Sequence, residues 1–211
     1  MSSVKVSESA KGVASKANIL MAARMCFSSK GFTATSLSDI EQAAKVSRGV
    51  IYHYFSSKDE MIQDITRENL GKMAARIEDD LLALRLGGLG SLVNILRKLV
   101  GFAEQITLGP GRAMSLHVWS LATLNADVNA TLVEFFEKIR LLLKQELQFL
   151  QTAGDYPADA DLDQLSSAFF ATLIPGFIVQ RLFLGDKSLA ADAYANSVVE
   201  LFTKNSETGA G

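Results

Sequence analysis

Gly31 to Lys58 reads GFTATSLSDIEQAAKVSRGVIYHYFSSK, and this stretch decides the fold. Ser36-Leu37-Ser38-Asp39 has the form of a helix start. Ser36 can cap free backbone amides, and Asp39 falls in the positively polarised first turn. Leu37, Ile40, Ala43 and Ala44 then recur at helical spacing. Lys45-Val46-Ser47 interrupts the pattern after about two turns. Ser47 can cap a second short helix, Arg48 to Phe55, with Val50, Ile51 and Phe55 expected inside and Arg48, Tyr52 and His53 outside. Two short helices joined by a tight turn form a helix-turn-helix, whose second helix fits the major groove of DNA.

The outward residues suit that surface. Arg48 can fork onto a guanine edge or a phosphate, and Ser47, Tyr52 and His53 can donate to phosphates. Tyr52 or Val50 can touch a thymine methyl. Lys58 lies in the first turn of a further helix opened by Ser57, with Glu60 completing a capping box, and a lysine there is a candidate phosphate clamp.

Residues 19–62 resemble the amino-terminal domain of TetR-family transcriptional regulators. The resemblance is carried by Ile19, Ala22-Ala23, Phe27, Gly31-Phe32, Thr35, Asp39-Ile40, Ala43-Ala44, Val46-Ser47, Gly49, Tyr52, Phe55, Ser57-Lys58 and Met61. It implies DNA contacts at Thr35, Ser36, Ser47, Arg48, Gly49, Tyr52, His53, Tyr54 and Lys58. It also implies an all-α, two-domain homodimer. Two positions depart from the family pattern. Glycine is usual where Lys45 stands; a left-handed Lys45 costs roughly 1–2 kcal/mol, or the lysine reaches a phosphate. Histidine is usual where Tyr54 stands, and here His53 comes one place earlier.

The charge of the whole chain is divided. Its 211 residues carry a formal net charge of -2 and 48% hydrophobic residues, enough for a real core. Residues 1–60 are net +3 and residues 61–211 net -5. A basic head on an acidic body fits a protein that meets DNA with one end. Cys26 is the sole cysteine, which excludes a disulfide framework and a multi-cysteine zinc site. It falls on the apolar face of the first helix, so inert packing is expected. No apolar leader precedes Ile19, and the uncharged run Leu165 to Gln180 is too short to span a bilayer. A cytoplasmic protein is expected.

In chain order, residues 1–14 read as a flexible arm, whose Lys5 and Lys11, with Lys16, can approach DNA. Residues 15–60 form the DNA-binding domain, 61–204 a helical ligand-binding and dimerisation domain, and 205–211 a flexible tail. About nine helices are expected. The first runs from Ser15 to Ser29 and is stopped by Gly31, and the fourth from Lys58 to Leu86. The others cover Ser91–Leu108, Ala113–Leu124, Asp127–Thr152, Leu162–Leu184 and Leu189–Lys204. The Leu162–Leu184 helix is apolar nearly all round and must be covered on several sides. A twofold pairing of the last two helices would cover it, with Phe177, Arg181, Leu184, Tyr194, Val198 and Phe202 at the interface. Pro175 should kink it, because proline cannot donate to Ala171.

Catalysis finds little support: no nucleophile has a recognisable setting, no cluster has metal-ligand spacing, and no cofactor is expected. The acids Asp155 to Asp163 lack the glycine and glutamate of a calcium loop. A cavity for a mainly apolar organic effector is the stronger expectation. Its candidates are Asn94, Phe102, Met114, His117, Trp119, Phe135, Phe136, Phe169, Phe170 and Gln180, with Arg112 as a further polar group. His117 is either a satisfied core histidine or a ligand donor. The function expected is a ligand-responsive DNA-binding repressor; the alternatives are a constitutive dimeric DNA-binding protein and, behind it, a helical enzyme or carrier.

Overall fold

A computed structural model describes the backbone of residues 3–107, 111–182, 184 and 189–203, and the side chains of 15–105, 116–181, 184, 189–201. Among these residues every regular element is helical. The helices are α1 (Ser3–Lys30), α2 (Leu37–Ala44), α3 (Arg48–Tyr54), α4 (Lys58–Leu86), α5 (Leu92–Thr107), α6 (Gly111–Ala122) and α7 (Ala126–Ala153). Next, α8 joins Leu162–Ala171, a π-helical turn Thr172–Gly176 and Phe177–Leu182; α9 is Ala191–Thr203. The expected nine-helix, all-α architecture is therefore present. The expected tail, residues 205–211, and the side chains of Lys5 and Lys11 lie outside the described residues.

The start of α1 differs from expectation. It begins at Ser3, so the stretch read as a flexible arm has helical backbone. Its Ala, Lys and Glu residues favour helix, whereas its serines, valines and Gly12 favour it less. Lys16, which a DNA-approaching arm would have used, pairs with Asp64 at 2.8 Å and lies 5.3 Å from the Phe55 ring centroid.

The chain divides into two compact units. The first contains residues 1–69 together with Ala113–Thr131; the second contains Leu70–Arg112 and residues 132–211. The first unit thus extends past residue 60 and takes in most of α6.

The first unit closes over a small core of Ile19, Ala22, Ala23, Cys26 and Phe27 from α1, Ile40 and Ala44 from α2, Ile51 and Phe55 around α3, and Met61 and Ile65 from α4. Phe55 is fully buried, and truncating such a residue to alanine costs about 3–5 kcal/mol. Gly31 has φ +80 and ends α1, the conformation that favours glycine there. Cys26 is buried in this core, and that burial raises its thiol pKa, as inert packing requires.

In the second unit α9 packs along α5, and Phe169, Leu173, Ile174, Phe177 and Ile178 of α8 are buried. Pro175 sits inside the π-helical turn, where the ordinary helical ladder is interrupted as expected. Tyr194 Oη of α9 donates to the Thr172 carbonyl at 2.6 Å within that turn. A Cβ on Gly176 would stand 2.6 Å from the same hydroxyl, so this glycine makes room for it.

Candidate nucleic-acid interface and cavity

The geometry of α2 and α3 follows from their caps. Ser36 accepts from the Asp39 amide at 3.1 Å, and the Asp39 carboxylate accepts from the Ser36 amide at 2.8 Å. Such a box is worth about 1 kcal/mol. Asp39 also pairs with Lys30. The Lys30 ammonium, and after it Ser36, holds the Asp39 carboxyl well below the usual carboxylate range. At its other end α2 stops at Lys45, with φ 55 and ψ 42, a left-handed cap on a non-glycine residue. The strained alternative foreseen for Lys45 is the one adopted. Asn18 of α1 donates to the Ala44 carbonyl at 2.7 Å and helps close that end.

Ser47 occupies the cap position of α3, but its side chain makes no capping hydrogen bond, contrary to expectation. Ile51 and Phe55 point inward, as expected, whereas Val50 is 36% exposed and belongs to the outer face. Ser47, Arg48, Gly49, Tyr52 and His53 are exposed with it, as are Ser36 and Lys45 on the preceding helix boundaries. One outer surface thus combines a guanidinium, hydroxyls, an imidazole, a lysine and a short apolar side chain. Tyr54 differs: its ring packs against the head core, with His53 edge-on at 4.8 Å.

Arg48 is steered by residues that the sequence did not single out. Its Nη2 lies 2.9 Å from Ser38 Oγ and 3.2 Å from Glu41 Oε2. Glu41 and Arg48 lie on different helices across the turn, so helical spacing gives no hint of the pair.

Two expected outer residues turn inward. Thr35 is 1% exposed, and its hydroxyl donates to the Gly31 carbonyl at 2.7 Å. Lys58 Nζ donates to the Thr35 carbonyl at 2.7 Å and the Phe32 carbonyl at 3.2 Å. It also lies 4.7 Å from the Phe32 ring centroid. The ammonium finds carbonyl acceptors at the end of a loop, so Lys58 is an internal tie here rather than a free clamp. The capping box of α4 is shifted as well. Ser57 Oγ accepts from the Glu60 amide at 3.1 Å, but the Glu60 carboxylate accepts from the Ser56 amide at 2.6 Å.

The residues expected to line a cavity are divided. Asn94 and Phe102 line a cavity of about 510 Å³ in the second unit, together with Arg76, Leu84, Lys98 and others from α4 and α5. The remaining aromatics pack on one another. Phe135 and Phe136 have ring centroids 5.5 Å apart, Phe136 and Phe170 5.6 Å, and Phe169 is fully buried. Gln180 lines neither described cavity. Trp119 is half-buried in the first unit, away from this cavity's lining. The Met114 and Arg112 side chains lie outside the described residues.

His117 is not the satisfied core histidine foreseen as one alternative. Its ring stacks on Phe32 with centroids 4.0 Å apart, and among the described residues its buried Nε2 has no hydrogen-bond partner. Burial lowers its pKa, and Lys58 lowers it further while Asp59 opposes.

The expected dimer face is also partly used up inside one protomer. Phe177 is fully buried and Val198 is 4% exposed. Arg181 donates to the Leu189 carbonyl at 2.9 Å and lies 3.5 Å from Glu104. Tyr194 serves the π-helical turn. Leu184, beyond the end of α8, is 75% exposed, and Val179 on α8 is 42% exposed. The Phe202 side chain lies outside the described residues.

Residues 19–65 match the family described as "Bacterial regulatory proteins, tetR family". The HTH-type transcriptional repressor AcnR of Corynebacterium jeikeium is 32% identical over 94 residues, which is 44% of this chain. The chain spans about half (48%) of that relative's length. Among solved structures, a tetR-family transcriptional regulator from Mesorhizobium loti superposes with a TM-score of 0.73 at 20% identity, covering 90% of this chain and 96% of that one. A transcriptional regulator from Saccharomonospora viridis, solved in complex with choline, gives 0.68 at 21% identity, covering 88% and 94%. The head thus carries the tetR-family match over residues 19–65, and the whole chain shares its all-helical fold with the solved tetR-family regulator.

Proposed function

We propose that this chain is a sequence-specific DNA-binding transcriptional repressor, released from its operator by a small, mainly apolar organic effector, and not an enzyme. It works in the cytoplasm as a homodimer. The observation that carries the reading is the outer face of α3, where Arg48, Tyr52, His53 and Val50 are exposed on a helix pinned from behind by Ile51 and Phe55. A rigid short helix with a donor-rich outer face can sit in a major groove, where base edges are distinguishable. An exposed Ser47 Oγ that caps no helix amide supports a phosphate contact at this position.

Two heads bound as a pair would read half-sites about 34–36 Å apart, or a small multiple of that. Val179 on α8 and Leu184, beyond its end, are exposed apolar residues that support pairing with a second copy. The effector reading is supported by the cavity in the second unit and by a similar fold that holds choline. α4 runs from one unit into the other, so a ligand that moves it would change the spacing of the heads. A switch from 1:99 to 99:1 needs roughly 10⁴-fold preference for the released form. Selecting bound fragments from genomic DNA tests the reading. A recurrent, inverted-repeat site is expected; recovery of random fragments with no shared sequence would overturn it.

A further inference from the structure

The 510 Å³ cavity is lined by three cations and two acids, but only one of these charges is unspent. Lys98 Nζ lies 3.5 Å from Asp80. Arg97 Nε lies 2.9 Å from Asp192, and its other nitrogens reach Asn94 and Asn196. Glu104 is met by Arg181 at 3.5 Å. Among the described residues Arg76 has no acidic partner. Its guanidinium instead rests 5.6 Å from the Phe102 ring centroid. Contact with a ring face steadies the guanidinium plane and leaves its N–H edge free to fork onto an anion.

A second observation comes from the backbone. Gly101 lies inside α5 and lines the same cavity, and a Cβ built on it would meet nothing within 4 Å. Glycine weakens a helix relative to alanine, and no neighbouring atom here requires it. Its effect is to leave the cavity wall open beside Phe102. Leu84 and Leu89 supply the remaining apolar lining.

We infer that this cavity binds an amphipathic organic anion. The carboxylate, sulfonate or phosphate head pairs with Arg76, and the apolar body lies against Phe102, Leu84 and the gap at Gly101. The volume is that of a small-molecule site. The regulatory meaning of such binding rests on the effector-responsive function proposed above; the binding itself does not.

A matched pair of fluorescent probes tests it. 8-Anilinonaphthalene-1-sulfonate carries an anionic head, and N-phenyl-1-naphthylamine has the same ring skeleton without one. Both are titrated into the full chain and into Arg76→Gln and Gly101→Leu. The sulfonate should bind wild type about tenfold or more tightly than the neutral probe, the size of effect expected for one charge-assisted contact. Arg76→Gln should remove that difference while leaving the neutral probe unchanged. Gly101→Leu should weaken both probes without lowering the melting temperature. Equal binding of the two probes to wild type, or an unchanged sulfonate affinity in Arg76→Gln, overturns the inference. Release of selected operator DNA is followed in the same titration. Arg76-dependent sulfonate binding without release upholds the anion site and refutes the effector reading. Release by the neutral probe, together with a sulfonate affinity unchanged in Arg76→Gln, does the reverse.

Discussion

The helices around the turn at Lys45 and those of the second unit are both amphipathic, yet they differ in what fixes their faces. α2 and α3 are short and locally fixed: the Ser36–Asp39 box and the left-handed Lys45 set the ends of α2, and the Ile51 and Phe55 plugs set the inner face of α3. Once those are placed, the remaining side chains have one direction left to point. α8 is apolar nearly all round, so nothing local says which side meets α5, which meets α9 and which is left outside. Phe177 and Leu184 look alike in the sequence, but one is fully buried and the other 75% exposed. Local rules thus fix a face where caps are dense, and packing against distant segments fixes it elsewhere.

The largest expected effect separates Phe177 from Leu184. Phe177→Asp places a carboxylate in the body core and should cost about 4 kcal/mol or more, abolishing the cooperative melt. Leu184→Asp should leave melting nearly unchanged and shift sedimentation from dimer toward monomer. A Phe177→Asp variant that melts like wild type would mean that the protomer does not bury this side.

Lys58→Ala probes the head. It removes donors to the Phe32 and Thr35 carbonyls and should destabilise the chain by about 1–3 kcal/mol in denaturant unfolding. A phosphate clamp alone would instead leave stability intact and lower only the salt slope of DNA binding, by about one.

Lys45→Gly has the opposite sign. Removing a left-handed lysine should stabilise the protein by about 1 kcal/mol in the same assay. If Lys45 also meets a phosphate, the salt slope falls by about one at the same time. Loss of stability in this variant would contradict the strain.

The smallest effect is on acid sensitivity. The Asp39 carboxyl has a depressed pKa in the folded state, because Lys30 and Ser36 favour its charged form. Its contribution is therefore complete above the ordinary carboxylate range and is lost as pH falls below about 4. Asp39→Asn should flatten that acid limb in unfolding titrations, and an unaltered limb would remove Asp39 from the account.

The readable part of the molecule follows the same division. The helix order, the Ser36 cap, the break at Lys45 and the inward Ile51 and Phe55 all come from residues within a turn or two of each other. The inward Thr35 and Lys58 were not readable, because their acceptors are carbonyls in the loop after α1. Nor was the stack of His117 on Phe32, which joins residues far apart in the chain. Asn94 and Phe102 line one cavity, whose charged lining the sequence reading missed. Arg76, Arg97 and Lys98 look like ordinary solvated positions on α4 and α5 until the two helices are set side by side.

The most direct test measures operator discrimination. Fluorescence anisotropy would compare a selected operator with a scrambled duplex, for wild type and for Arg48→Ala combined with Tyr52→Ala. Melting and sedimentation serve as controls. The outer face of α3 is expected to supply base readout, so the double variant should lose about 1–3 kcal/mol of discrimination for each residue that reads a base. Its binding to scrambled DNA should fall much less. Full discrimination in the double variant, with fold and assembly intact, would contradict the assignment of α3 as the reading helix.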